Sequence, residues 1–128
     1  MDKKAQYWID LADYDIETAK AMLETKRYLY VGFMCHQSIE KALKAVITSQ
    51  SGNIPPKIHN LIKIAEMARL FDSMNEQQKQ TIFLLNPLNI ESRYPSYKDM
   101  MLEQLTDTRC NEILSESKEL LLWIKQQL

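Results

Sequence analysis

An all-α fold, an antiparallel up-and-down bundle of four to five helices, is the architecture these 128 residues predict. Three observations carry it. Glycine occurs only twice, at Gly32 and Gly52, against an average share of about 7%. Tight hairpins and Gly-rich phosphate loops need positive φ angles, so neither a G-x-G-x-x-G turn nor a G-x-x-x-x-G-K loop can be written here. Apolar residues recur at steps of three and four along most of the chain. The connections are short and of ordinary complexity, so residues 1–128 read as a single helical domain.

The first helix is predicted over residues 2 to 26, where Ala5, Trp8, Ala12, Ile16, Ala19 and Leu23 form the stripe. A second runs over 28 to 50, with Cys35, Ile39, Ala42, Leu43, Val46 and Ile47 as its apolar arc. On it His36 borders the arc, and Glu40 and Lys44 continue from His36 at i+4 and i+8 along one side. Ser51-Gly52-Asn53 supplies a left-handed stop, and Pro55-Pro56 an extended connector. A third helix is predicted over 60 to 71 on Leu61, Ile64, Ala65, Ala68 and Phe71. Ser73-x-x-Glu76 matches a capping box opening a fourth, which Pro87 ends near Leu85 or Asn86. Residues 91 to 105 show no period and read as an ordered loop. The last helix spans 106 to 127, capped by Thr106 or Asp107, on Cys110, Ile113, Leu114, Ser117, Leu121 and Ile124.

Composition excludes more than it assigns. With 16 basic and 17 acidic side chains the formal net charge is −1, which gives no global footprint for a nucleic acid or an anionic membrane. Apolar runs such as Leu120-Leu121-Leu122-Trp123-Ile124 are far too short to span a bilayer, and the N-terminal residues lack the apolar core of a secretory signal. Two cysteines, Cys35 and Cys110, suit a reducing, cytoplasmic setting. With two cysteines and two histidines in all, a closed zinc site would need nearly all of them to converge, so neither metal nor cofactor is expected.

Charge is uneven along the chain. Residues 36–63 hold four lysines and one acid, net +3, together with both histidines, whereas residues 103–119 carry net −3. The basic segment is where a phosphate would be drawn, although solvated helix faces often vary this much. Glu40 can hydrogen-bond His36, which would raise its pKa, while a semi-buried packing role competes with a catalytic one. His59 lies at a helix start, where free backbone N–H groups favour anions, and can equally be a cap or surface residue. In Arg93-Tyr94-Pro95, arginine offers a fork for phosphate and tyrosine a stacking face; a packing anchor is the competing role. Ser38-x-x-Lys41 and Ser115-x-x-Lys118 match a Ser/Lys hydrolase spacing without its companion motifs and carry no weight.

Taken in order, Trp8, the segment His36-Gln37-Ser38-Ile39-Glu40-Lys41-Ala42-Leu43-Lys44-Ala45, His59-Asn60-Leu61 and Arg93-Tyr94-Pro95 resemble the HEPN domain (higher eukaryotes and prokaryotes nucleotide-binding) across essentially the whole chain. The resemblance implies a compact helical bundle that often forms homodimers. It also implies pairing with a separately encoded minimal nucleotidyltransferase in two-gene modules of toxin–antitoxin type. Some members of the wider superfamily are metal-independent endoribonucleases marked by Arg, four to six residues, then His. Here Arg27, Arg69, Arg93 and Arg109 are the arginines and none has a histidine at that spacing.

The leading expectation is a nucleotide- or RNA-binding domain that acts with such a nucleotidyltransferase, with Lys41, Lys44, His59 and Arg93 on phosphate and Tyr94 or Tyr97 stacked on a base. The alternatives are a ribonuclease with a relocated pair drawn from His59, Arg93 and His36, and a non-catalytic dimerisation or partner-binding domain. No membrane partner is expected.

Overall fold

The computed structural model describes residues 2–90 and 94–128. Its described residues form six α-helices and no strand: α1 (Lys3–Glu24), α2 (Tyr28–Ser51), α3 (Leu61–Met67), α4 (Glu76–Leu85), α5 (Pro95–Gln104) and α6 (Asp107–Gln126). The all-α expectation holds, with one helix more than four to five. The addition is α5, in the stretch read as a loop. It buries none of its residues, so no core-facing stripe marks it in the sequence.

Helix α2 is the axis of the molecule, packing against α1, α3, α4, α5 and α6. It has a left-handed stop at Gly52, whose φ is 72°. Gly32 is needed for a different reason: a Cβ there would stand 2.9 Å from the Leu88 side chain, so the close approach of the Asn86–Leu88 turn requires its absence. The core is aliphatic, with Ile39, Leu43, Leu61, Ile64, Ile82, Leu85, Ile113 and Ile124 all fully buried. Ser38 Oγ donates to the Ala12 carbonyl at 2.8 Å, fixing α2 on α1. Across the other seam Lys125 pairs with Asp13 at 2.8 Å and joins α6 to α1.

Two boundaries differ from expectation. The third helix stops at Met67, where Arg69 takes a positive φ of 61° and residues 71–73 form a single 3-10 turn. The fourth helix is opened by Asn75, not Ser73: the Asn75 side chain accepts from Gln78 N and the Gln78 side chain accepts from Asn75 N, both at 2.8 Å. Either pair satisfies the capping-box pattern, and the turn at 71–73 leaves the later one at the helix start. Thr106 caps α6. Cys35 and Cys110 are both free and buried, and burial pushes their thiols up to about 12 and about 11. Neither is a ready nucleophile. Among the described residues no helix is long and apolar enough to cross a membrane.

Candidate functional site

Helix periodicity places His36, Glu40 and Lys44 on successive turns of α2. All three are buried, at 0%, 4% and 5% exposure. Burying a carboxylate and an ammonium is costly unless each finds a partner, and here they find one another: Lys44 Nζ donates to Glu40 Oε2 at 3.0 Å. The ammonium also lies 5.8 Å from the centre of the Trp8 ring on α1, a cation–π distance. The other side of the Glu40 carboxylate reaches across to the connector before α3. His59 Nδ1 is 3.0 Å from Glu40 Oε1 and 3.2 Å from Oε2. Asn60 follows as the N-cap of α3, accepting from Ile62 N and Lys63 N. Leu61 N in turn donates to the Asn86 side chain at 2.8 Å, which pins the connector to the end of α4.

This geometry sorts the two histidines. His59 keeps 60% of its side chain exposed. With Nδ1–H donated to the carboxylate, its Nε2 is the nitrogen left to face solvent, and the Glu40 carboxylate behind the ring fixes that tautomer. His36 is wholly enclosed. Its Nε2 donates to the His59 carbonyl at 3.2 Å, and its Nδ1 lies 3.3 Å from the Gln37 side chain. The expected His36–Glu40 hydrogen bond is not made: that pair is 3.9 Å apart, and Glu40 serves His59 instead. Burial, opposed by the Glu40 charge, lowers the His36 pKa from its ordinary value. So His36 holds the backbone of the residue that faces water, and a neutral ring suits that task.

The other candidates among the described residues have partners of their own or face solvent. Lys41, three residues from Lys44, turns toward α1 and forms an ion pair with Asp15. Tyr94, the N-cap residue of α5, is 83% exposed. Tyr97 is half-buried, its hydroxyl donating to the Pro87 carbonyl at 3.1 Å. Arg93 lies outside the described residues. The structure therefore brings together Trp8, His36, Glu40, Lys44 and His59, while both lysines taken as phosphate ligands are engaged with acids. Sequence reasoning missed the Glu40–His59 pair and the Lys44–Trp8 contact. Nothing local could have signalled either, because the partners are 19 and 36 residues apart.

A carboxylate–imidazole pair with one outward nitrogen can do two things. It can donate a charge-assisted hydrogen bond to an anion when protonated, and it can accept a proton when neutral. No curated protein matches this chain. Among solved structures it is similar to the crystal structure of TT1696 from Thermus thermophilus, with a TM-score of 0.83 over 99% of this chain and 100% of that one. At 19% identity this likeness is one of fold. The HEPN domain model matches residues 5–127, close to the full length. The chain belongs to the HEPN domain family.

Proposed function

We propose that this chain is a nucleotide- or RNA-binding HEPN domain that acts with a separately encoded minimal nucleotidyltransferase, in a two-gene module of toxin–antitoxin type. Family membership supports the nucleotide-related role, and one observation carries the site: the exposed His59 imidazole backed by the buried Glu40 carboxylate. The carboxylate orients the ring, and when the imidazole carries a second proton its Nε2–H is offered to a phosphate oxygen. Lys44 supports this site indirectly, by neutralising Glu40. Arg93 and Tyr94 belong to the proposal through the family resemblance alone, as phosphate fork and stacking face.

Titration of a short single-stranded RNA at low salt tests the assignment. Both His59→Ala and Arg93→Glu should weaken binding by about tenfold or more, roughly 1.4 kcal/mol, with the helical circular dichroism unchanged. Equal affinity of His59→Ala and the parent overturns it. Co-purification with the product of a neighbouring nucleotidyltransferase reading frame tests the partner, and a HEPN domain that elutes alone from that mixture removes it.

The same pair favours a second reading, a metal-independent ribonuclease in which His59 Nε2 takes the 2′-hydroxyl proton. A general base of this kind contributes typically about 10²–10⁴ in rate. Cleavage of RNA in EDTA that His59→Ala leaves untouched removes that reading.

A further inference from the structure

We infer that the groove between the first turns of α1 and the connector after α2 is a second ligand site, built for a flat aromatic anion. The groove has a volume of about 380 Å³, lined by Lys3, Lys4, Tyr7 and Trp8 from α1, with Asn53 and Ile54 facing them. Neither His59 nor Glu40 lines it, so the proposal goes beyond the phosphate contact placed on that pair.

Three features specify the occupant. The first is aromatic surface. Tyr7 and Trp8 sit edge to face, their ring centres 6.3 Å apart, and Tyr7 is 62% exposed although it is a large ring. Ile54 opposite is 81% exposed, so apolar area stands in water from both walls. Trp8 is held in place from within by the Lys44 ammonium, which is itself tied to Glu40, giving a preset surface for a ring to lie on. The second is charge. Lys3 and Lys4 are exposed and take part in no ion pair among the described residues. Among the described residues no acid lines the groove, and the neighbouring Asp2 carboxylate is engaged in capping α1, accepting from Ala5 N at 2.8 Å. Two uncompensated cations beside apolar rings select a negatively charged ligand over a neutral or cationic one. The third is size. About 380 Å³ lies at the small end of ligand pockets, enough for one ring system with its anionic group and too little for a helix or a duplex.

The shared chemistry, a ring plus an anion, is met by a nucleoside monophosphate or by a simple aromatic acid, and the test separates them. Trp8 and Trp123 are the two tryptophans, so Trp123→Phe makes Trp8 emission the readout; if that variant folds poorly, the emission change of the parent chain minus that of Trp8→Phe isolates the same signal. Adenosine monophosphate and benzoate are titrated beside adenosine, which lacks the anion, and ribose 5-phosphate, which lacks the ring. At least one aromatic anion should bind saturably, with its ring-only and anion-only counterparts about tenfold weaker or more. Benzoate binding as well as the nucleotide marks a general aromatic-acid site, and the nucleotide alone marks a nucleotide site. The double variants Lys3→Glu/Lys4→Glu and Lys3→Gln/Lys4→Gln should both weaken binding, the charge reversal more, whereas His59→Ala should leave it unchanged. The proposal fails if neither aromatic anion binds, if ribose 5-phosphate binds as well as they do, if the lysine variants bind as the parent does, or if His59→Ala abolishes the signal.

Discussion

Helices α2 and α5 are opposites in the same small domain. Of the 24 residues in α2, 14 are buried, and these include the charged Glu40 and Lys44. All ten residues of α5 keep some contact with solvent, none being buried. One helix is held by extensive burial and encloses the ionised Glu40 and Lys44 only as a bonded pair. The other is held by its ends and by the partly buried Met101 and Tyr97. Functional groups in such a domain can be supplied in two ways: rigidly, from a helix whose core fixes the rotamers, or loosely, from an arm whose side chains adapt. The Glu40–His59 pair is of the first kind, and Tyr94 at the head of α5 is of the second.

The sharpest way to break this contrast is at Glu40. Glu40→Ala leaves the Lys44 ammonium enclosed without its carboxylate, and removing one partner of a buried pair costs about 3–5 kcal/mol. The urea midpoint should fall accordingly. Adding Lys44→Met should recover most of the loss, because the buried charge then disappears with its partner. A double variant as unstable as Glu40→Ala would mean that packing, not charge, sets the cost.

His36 gives a smaller effect with a sign that can be fixed in advance. Its folded pKa is lowered, chiefly by burial, relative to an ordinary value near 6.5 in the unfolded chain. The unfolded state therefore binds the proton first as pH falls. The contribution of a neutral His36 is complete above about pH 6.5 and is lost as pH drops below it. Urea midpoints measured from about pH 7.5 down to about pH 5.5 should decline in the parent, and His36→Gln should flatten part of that decline. A midpoint that rises on acidification would contradict the burial argument.

The same contrast explains what the sequence disclosed. Helices α1, α2 and α6 each bury a face, and Ala5, Ala12, Ala19, Ile39, Leu43, Ile113 and Ile124 repeat at helical spacing because each must meet the core. Local chemistry disclosed the Gly52 stop and the Thr106 cap. The capping box read at Ser73 forms two residues later, at Asn75, because residues 71–73 turn before the helix starts. Asn75→Ala should therefore cost about 1 kcal/mol, and Ser73→Ala much less, in thermal or urea unfolding. The candidate site was half visible. The i, i+4 spacing put Glu40 and Lys44 within reach of each other, but which histidine would take the carboxylate depended on where the connector folds. Arg93, on which much of the phosphate expectation rested, lies outside the described residues.

The smallest predicted effect is the one that tests α5 itself. Met100 and Leu102 are each 47% exposed, so replacing either by Ser removes little buried area, and the change in stability should stay within about 0.5 kcal/mol. The amides of α5 should also exchange with solvent well before those of α2, since a helix without a buried face can open without disturbing the core. Exchange followed by mass spectrometry, with the Leu102→Ser melting curve beside it, reads both quantities. If Leu102→Ser instead costs as much as a core truncation, about 2 kcal/mol or more, that face of α5 is covered in solution by another protein surface. The contrast with α2 would then belong to the isolated chain, and the same variant should show a concentration-dependent melting temperature, because stability gained by association follows mass action.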